Sequence, residues 1–268
     1  TTLEKLSGAK SVAFDKTGTI TQGNLAVNQI IAVEGTTEEE LIQLAASLEQ
    51  NSSHILARSL VQYAKSKGIT FLPVTSATEV TAQGIIGKIS GNEVSAGKPS
   101  LIKNFSSENL SKETSIYVGK NGHLLGYITF KDSVRPEAKE TMQKLQQMDV
   151  KNLVMLTGDK YSVAKEIAEQ VGINKVFADC LPQDKIKHLK DIGVQNGPVL
   201  MVGDGVNDAP ALVTADVGIA MGAHGSTAAS ENADVVIMKD DLSKVAQVIA
   251  IAKHTMKIAK QSVLIGLF

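Results

Sequence analysis

Cysteine, tryptophan and long apolar runs are scarce or absent in this 268-residue sequence, and each shortage excludes a class of protein. One cysteine cannot form an intramolecular disulfide or a multi-cysteine zinc or iron–sulfur site. The absence of tryptophan and the 4% of aromatic residues argue against a base-stacking nucleic-acid surface. No apolar run approaches the roughly 18 residues of a membrane span, and the first residues do not resemble a signal peptide.

The charges of the chain are balanced, with 27 Lys and Arg residues against 28 Asp and Glu residues and a net charge of −1. This balance argues against a broad nucleic-acid-binding surface and a polybasic membrane patch. The 43% of apolar residues is enough for a packed core, and the length favours two domains over one. The composition therefore indicates a water-soluble globular chain of α/β character that binds no nucleic acid.

Short apolar runs typical of buried strands recur along the chain, and helical patterns separate those in its second half. Three runs lead into polar residues, 11–14 into Asp15, 153–156 into Thr157 and 199–202 into Asp204, and two more lie at 217–220 and 235–238. The alternation predicts an α/β fold with a doubly wound parallel sheet. Because the carboxyl ends of parallel strands share one edge, the three polar residues are expected to lie together there.

A different pattern fills the region between about residues 26 and 126. Helices are predicted near 37–48 and 53–67, and short strand-like pieces separated by glycines follow them. This order is typical of an α+β domain, inserted here after the first strand of the α/β domain. The predicted division assigns 1–25 and 128–255 to the α/β domain, 26–127 to the insert and 256–268 to the start of a membrane helix.

Asp15 is the candidate nucleophile of the predicted site. A carboxylate can attack a phosphoryl group and form an aspartyl phosphate. Because both partners are negative, the reaction needs a cation, normally Mg²⁺ held by oxygen ligands. Asp204 and Asp208, in a glycine-containing stretch after another predicted strand, are the candidate ligands.

Groups for the phosphate itself are predicted in two other loops. Thr157 and Gly158 offer a hydroxyl and an N–H group to phosphate oxygens. Lys185, at the start of a predicted helix, is the candidate for the cation that stabilises the transferring group. A single Asp at a strand end is usually a cap or turn residue, but capping does not explain all of these groups in this order.

These stretches resemble the motifs of a known family. Residues 15–19, Asp-Lys-Thr-Gly-Thr, resemble the phosphorylation motif of the P-type ATPases, and residues 157–159 and 201–210 resemble its two companion motifs. The resemblance covers nearly the whole chain and implies a haloacid-dehalogenase-like phosphorylation domain with an inserted nucleotide-binding domain. It also implies residue roles: phosphorylation of Asp15 by ATP, with Lys16 and Gly158 in the catalytic motifs; Mg²⁺ binding by Asp15, the Thr17 carbonyl, Asp204 and Asp208; and phosphate binding by Thr157, Lys185 and Asn207.

Thr17 separates this chain from soluble phosphatases of the same fold, which usually carry a second Asp at that position. Without that acid–base group, the aspartyl phosphate is expected to hydrolyse slowly, as a pump requires. In the family the hydrolytic glutamate belongs to a separate actuator domain, and this chain contains no Thr-Gly-Glu motif. Two alternatives stay open: a soluble phosphatase of this fold, and a nucleotide-sensing module without turnover.

The inserted domain resembles that of the heavy-metal-transporting branch of the family. Glu49 and His54 match the Glu and His of its Glu…Ser-Glu-His-Pro-Leu-Ala stretch in identity and in spacing, which implies that both bind the nucleotide. Gly84 and Gly97 match glycines expected at the nucleotide site. The chain departs from the pattern at Ser53, Ile55 and Ala82, which stand where the branch has Glu, Pro and Gly.

The resemblance implies that the chain is the catalytic cytoplasmic part of an ATP-driven heavy-metal cation pump, with Mg²⁺ as cofactor and ATP as substrate. It implies actuator and transmembrane domains in the same polypeptide, a transported metal cation as partner, and a place in the cell membrane with this part on the cytoplasmic side. Residues 262–268 follow Lys253, Lys257 and Lys260. This order favours the start of a membrane helix over a soluble amphipathic helix.

Overall fold

A computed structural model describes residues 1–204, 208–222 and 231–266, and the chain divides into two compact units. The first unit combines Thr1–Gly23 with Val134–Phe268, and the second is Asn24–Ser133. The chain passes from the first unit to the second along one long strand and returns along another. The second unit is therefore an insertion into the first.

The helices and strands are numbered in chain order. The strands are β1 (Ser11–Asp15), β2 (Thr21–Ala32), β3 (Val74–Val80), β4 (Gly84–Ile89), β5 (Asn92–Gly97), β6 (Thr114–Lys120), β7 (His123–Val134), β8 (Asn152–Leu156), β9 (Lys175–Phe177), β10 (Val199–Gly203), β11 (Val217–Met221) and β12 (Val235–Ile237). The helices are α1 (Thr2–Ser7), α2 (Glu38–Glu49), α3 (Ile55–Ser66), α4 (Ala138–Gln147), α5 (Tyr161–Val171), α6 (Pro182–Asn196), α7 (Ala209–Thr214) and α8 (Ser243–Gly266).

The first unit contains a six-stranded sheet in the order β12-β11-β10-β1-β8-β9, and every paired strand in it is parallel. β1 lies near the middle, between β10 and β8, with Asp15 in register with Leu156. Short apolar strands alternate with amphipathic helices, and Gly172 ends α5 in the left-handed conformation that favours glycine. The predicted α/β class with a doubly wound parallel sheet is confirmed.

Alternate residues of the central strands face two separate cores. Val12 and Phe14 pack with helices α1, α4, α5 and α8 on one face of the sheet, and Ala13 packs with α6 and α7 on the other. All three side chains are fully buried, because a parallel sheet is covered on both faces. Burial of Phe14 alone contributes roughly 2–3 kcal/mol. This packing fixes the strand that ends at Asp15.

The second unit contains an antiparallel sheet in the order β2-β7-β6-β5-β4-β3, which packs against α2 and α3. Thr37 caps α2, since its Oγ1 accepts the main-chain N–H of Glu40 at 3.1 Å. Leu41 of α2, Leu60 of α3 and Ile128 of β7 are fully buried in the core between helices and sheet. The α+β character predicted for the insert is therefore observed.

The last described helix, α8, packs against the first unit along its first half only. Val245 and Ile249 are buried there, whereas Ile258 and Ile265 are exposed. Lys253 Nζ donates to the main-chain carbonyl of Ser7 at 2.8 Å and joins α8 to the end of α1. Within the described ranges, no helix has the length and apolarity that crossing a bilayer requires.

Candidate active site

Three charged side chains from distant parts of the sequence meet at the carboxyl edge of the parallel sheet. Asp15 is the last residue of β1, Lys185 lies in the first turn of α6, and Asp208 directly precedes α7. Lys185 Nζ donates to Asp15 Oδ1 at 2.8 Å and to Asp208 Oδ1 at 2.9 Å. All three side chains are at least 86% buried. The structure thus brings together the predicted nucleophile, the predicted cation and one predicted Mg²⁺ ligand.

The charges at this centre are unbalanced, because one ammonium group faces two carboxylates. Burial and the nearby charge of Asp208 raise the pKa of Asp15 to about 7, although Lys185 opposes the change. Burial alone lowers the pKa of Lys185, but the two carboxylates outweigh it and raise that pKa overall. An excess of negative charge away from water is unfavourable, so the site favours an additional cation.

The oxygen atoms around this centre fit a small hard cation. Asp208 Oδ2 is buried and has no hydrogen-bond partner among the residues that the structure describes. A Cβ on Gly203 would lie 2.8 Å from that oxygen, and a Cβ on Gly18 would lie 3.3 Å from Asp204 Oδ2. Both carboxylates therefore lie against bare backbone. The described ranges contain no group of three His, Cys, Asp or Glu side chains arranged for a metal. Mg²⁺ needs only one or two carboxylates, with water and phosphate oxygens completing its shell.

Residues Lys16–Ile20 form a tight turn directly after Asp15. Thr17 has φ −71° and ψ 123°, and Gly18 has φ 77° and ψ −3°, which are the angles of a type II turn. Gly18 supplies the positive φ that this turn requires. The hydroxyl of Thr21 accepts the Gly18 N–H at 3.2 Å and donates to the Lys16 carbonyl at 3.2 Å. Thr17, whose carbonyl is a predicted Mg²⁺ ligand, is therefore held in a defined turn.

The loop after β8 is tied to this turn through an ion pair. Lys16 Nζ lies 2.8 Å from Asp159 Oδ2, and the lysine side chain is 5% exposed. The main-chain N–H of Asp159 donates to the hydroxyl of buried Thr157 at 3.1 Å. Gly158 leaves room for the Cys180 carbonyl, which would lie 3.3 Å from an added Cβ. Lys16, Thr157 and Gly158 thus belong to connected loops at the same sheet edge.

Sequence reasoning did not anticipate two contacts at this edge. Asp159 stood in a recognised motif, but its pairing with Lys16 was not predicted. The sequence analysis assigns no role to Arg135, yet its guanidinium is buried beside the turn. A lone arginine before a proline carries no signal of burial in one sequence. The predicted phosphate ligand Asn207 lies outside the described residues.

In the second unit, Glu49 is buried at the end of α2 and faces a cavity of about 220 Å³. Burial raises the pKa of Glu49 to about 7; a hydrogen bond from Ser52 opposes this change, and the charge of Glu79 adds to it. Seven residues line the cavity: Glu49, Gln50, Ser52, Arg58, Val61, Gln62 and Lys65. A buried acid beside polar and basic side chains can recognise a polar ligand.

His54 is placed differently from Glu49. It is the exposed N-cap of α3, and its Nδ1 accepts the main-chain N–H of Leu56 at 3.3 Å. Because Nδ1 accepts this bond, Nε2 is the ring nitrogen that is available as a donor. His54 is not among the residues that line the cavity beside Glu49. Of the two predicted nucleotide ligands, Glu49 lines this cavity and His54 does not.

Gly84 and Gly97 face each other as register partners of β4 and β5. A Cβ on Gly84 would lie 2.2 Å from the carbonyl oxygen of Ala96, and one on Gly97 would lie 2.2 Å from that of Gln83. Both glycines are thus required for the close approach of two backbones. Ala82, in the turn before β4, has φ 59°, a left-handed conformation that favours glycine.

A family comparison identifies the fold that carries this site. Residues 9–216 match the model of the haloacid dehalogenase-like hydrolases, and this range includes Asp15, Thr157, Lys185, Asp204 and Asp208. The chain belongs to the haloacid dehalogenase-like hydrolases. Its parallel sheet, with the candidate nucleophile at the end of a central strand, is the scaffold of this hydrolase domain.

The chain is also similar to metal-transporting ATPases. It is 38% identical over 275 residues to a zinc-transporting ATPase of Bacillus subtilis (strain 168), covering 99% of this chain and 43% of that protein. It is 37% identical over 277 residues to a probable cadmium-transporting ATPase of Staphylococcus aureus (strain MRSA252), covering 97% of this chain and 38% of that protein. The chain thus spans less than half the length of these curated relatives.

Solved structures give the same relationship. The hydrolase domain and its insert match the crystal structure of a zinc-transporting PIB-type ATPase in the E2.Pi state with a TM-score of 0.88 and 34% identity, covering 99% of this chain and 44% of that one. They match the catalytic domain of the CPx-ATPase CopB-B with a TM-score of 0.68 and 32% identity, covering 92% of each chain. The chain is therefore homologous to the heavy-metal P-type ATPases, and the family predicted from its motifs is confirmed.

Proposed function

We propose that this hydrolase domain is the catalytic part of an ATP-driven heavy-metal cation pump, in which ATP phosphorylates Asp15. The main support for the proposal is the pairing of Lys185 with both Asp15 and Asp208. It places a nucleophile and a cation together in a buried site with an excess of negative charge. The homology to zinc- and cadmium-transporting ATPases supports a pump. A carboxylate oxygen of Asp15 attacks the γ-phosphorus, the bond to the β-phosphate oxygen breaks, and ADP leaves.

The side chains around Asp15 divide the work of this step. Lys185 favours the ionised form of Asp15 against the effect of burial, orients its carboxylate, and offsets negative charge on the transferring group. Thr157, Gly158 and Asn207 are proposed to bind the phosphoryl oxygens. A magnesium ion would be held by Asp15, the Thr17 carbonyl, Asp204 and Asp208, and it would supply the positive charge that the two carboxylates and the nucleotide phosphates require.

Thr17 determines what happens after phosphorylation. Its side chain has no group that can activate water at neutral pH, so the turn provides no local acid or base for hydrolysis. A long-lived aspartyl phosphate is the expected product. This property favours a pump, which must change conformation before the phosphate is lost, over a soluble phosphatase.

The insert is proposed to bind the nucleotide base. The cavity beside Glu49 offers a carboxyl group and polar side chains to the amino and ring nitrogens of adenine. His54 presents an exposed ring whose Nε2–H can donate, and an imidazole can stack on a purine. Gly84 and Gly97 support this unit by allowing β4 and β5 to pack closely, in addition to any contact with the ligand.

The intact pump is proposed to lie in the cell membrane with this part on the cytoplasmic side. Its actuator and transmembrane domains would belong to the same polypeptide, and its transported partner would be a divalent heavy-metal cation such as zinc or cadmium. The similarity to relatives of more than twice the length supports this larger organisation.

Labelling with [γ-³²P]ATP in the presence of Mg²⁺ tests the nucleophile. The unmodified protein is expected to form an acid-stable, hydroxylamine-sensitive phosphoenzyme, and Asp15→Asn is expected to abolish it. Asp149→Asn is the matched control, because that exposed carboxylate pairs with Lys10 at the surface. Persistent label in Asp15→Asn would assign the phosphate to another residue, and rapid phosphomonoester turnover by the unmodified protein would favour a phosphatase.

A further inference from the structure

Arg135 is a buried arginine whose side chain contacts the turn that follows the proposed nucleophile. Its Nε donates to the main-chain carbonyl of Thr19 at 2.8 Å, and its Nη2 donates to the carbonyl of Gly18 at 3.0 Å. The side chain is 6% exposed, so both bonds form away from bulk water. The rigid guanidinium fork therefore holds two consecutive carbonyls of the turn.

Two carboxylates, those of Asp240 and Glu137, lie beside the guanidinium group of Arg135. Asp240 Oδ1 accepts from Arg135 Nη2 at 2.7 Å, and Glu137 Oε1 lies 3.9 Å from Arg135 Nη1. Glu137 Oε1 also accepts the main-chain N–H of Leu242 at 3.0 Å, just before α8. A buried arginine is costly unless its charge is paired and its donors are bonded; here Asp240 pairs the charge, and Nε and Nη2 are hydrogen-bonded. Arg135 thus connects the turn to the segment that leads into α8.

The turn held by Arg135 is also the part of the chain that lies against Asp204. An added Cβ on Gly18 would lie 3.3 Å from Asp204 Oδ2. An added Cβ on Gly23 would lie 3.1 Å from the Gly18 Cα, so the backbone also packs closely behind the turn. Glycine can adopt many conformations, so Gly18 does not hold this geometry by itself. Hydrogen bonds to the Gly18 and Thr19 carbonyls restrict the turn to one conformation.

We propose that Arg135 is a positioning residue for the phosphorylation of Asp15. It fixes the Gly18 and Thr19 carbonyls and thereby keeps the turn in register with Asp15 on one side and Asp204 on the other. This inference rests on the proposed function, because it concerns the same phosphorylation step. Arg135 acts through the main chain of the turn, whereas Lys185 contacts the proposed nucleophile directly.

Three variants test the inference: Arg135→Gln, Arg135→Lys and Asp240→Asn, with Lys10→Gln as a matched control that removes an exposed ion pair of the same unit. Phosphorylation is measured against ATP and Mg²⁺ concentration. In Arg135→Gln, the rate at saturating ATP is expected to fall about tenfold, as the loss of charge-assisted hydrogen bonds predicts. The Mg²⁺ concentration for half-maximal rate is expected to rise, while the Kd for ATP stays unchanged. Arg135→Lys should recover part of the rate.

Amide resonances in ¹H–¹⁵N spectra provide a second readout that does not require activity. The amides of Gly18, Thr19 and Ile20 are expected to shift in Arg135→Lys and Asp240→Asn, and to stay unchanged in Lys10→Gln. A folded Arg135→Gln protein with the original rate and Mg²⁺ dependence would overturn the inference. If the unmodified protein is not phosphorylated on Asp15, the proposed function fails, and the amide shifts alone decide whether Arg135 positions the turn.

Discussion

Lys16 and Asp159 form an ion pair with 2.8 Å between Nζ and Oδ2, and it joins the loops that follow β1 and β8. The lysine side chain is 5% exposed and the aspartate side chain is 45% exposed. The buried Lys16 ammonium therefore depends on Asp159 for its counter-charge. The pair fixes the spacing between the proposed nucleophile loop and Thr157, which bonds to the Asp159 N–H.

Asp159→Asn is expected to lower the free energy of unfolding by roughly 1–3 kcal/mol, because it leaves the buried Lys16 ammonium without its counter-charge. Because Asp159 is half-exposed and solvent screens its charge, we expect the loss of unfolding free energy to lie in the lower part of this range. Urea denaturation measures the change. Asp149→Asn, which breaks the exposed pair with Lys10, is expected to cost less than Asp159→Asn, because solvent screens that pair. Equal losses in the two variants would contradict the prediction.

Mg²⁺ is expected to stabilise the first unit even without nucleotide, because it offsets the excess negative charge of Asp15 and Asp208. At about one hundred times its Kd, the ion should add about 2.7 kcal/mol and raise the Tm. Differential scanning calorimetry with and without MgCl₂ measures the effect. Asp208→Asn removes one buried carboxylate and should abolish most of the Mg²⁺-induced rise in Tm, whereas Asp149→Asn should retain it. A rise of the same size in Asp208→Asn would place the ion elsewhere.

The parallel sheet and its catalytic edge could be predicted because their signals are local. Each apolar run that leads into Asp15, Thr157 or Asp204 forms a strand of the sheet, and the resulting edge follows from its parallel order. The contacts of Arg135 and Asp159 could not be predicted in the same way. Their partners are up to 143 residues away, and a single sequence contains no signal of which charged residues are buried together.

The insert shows a second limit of sequence reasoning. Gly84 and Gly97 match a nucleotide-binding pattern, yet the contacts that require glycine there are backbone atoms of neighbouring strands. His54 matches a pattern as well, but its Nδ1 caps α3. A motif identifies a residue without specifying which of its atoms are used by the fold. Only the three-dimensional contacts separate the two uses.

Glu49 is expected to make the stability of the second unit depend on pH. Its pKa is about 7 in the folded state, against an ordinary value of 4.5, because burial disfavours the carboxylate. The folded state therefore binds more protons than the unfolded state between these values, and stability falls as pH rises from 4.5 through 7. The loss is expected to reach roughly 3 kcal/mol at pH 8.

Glu49→Gln should remove this dependence, since the amide cannot ionise. Urea denaturation at pH 5 and pH 8 measures it, with the exposed Glu108→Gln as control. The difference in unfolding free energy between the two pH values should shrink in Glu49→Gln and stay unchanged in Glu108→Gln. A Glu49→Gln protein with the original pH dependence would show that another group titrates.

Ala82→Gly is expected to stabilise the second unit by roughly 0.5–1 kcal/mol. Ala82 is exposed and has φ 59°, a conformation that costs an L-residue about 1–2 kcal/mol and glycine almost nothing. The greater freedom of glycine in the unfolded chain offsets part of this gain. Ala77→Gly on β3 is the matched control, because Ala77 has no positive φ and glycine weakens a strand. Thermal denaturation should therefore raise the Tm of Ala82→Gly and lower that of Ala77→Gly, and a lower Tm in both would show that the turn is not strained.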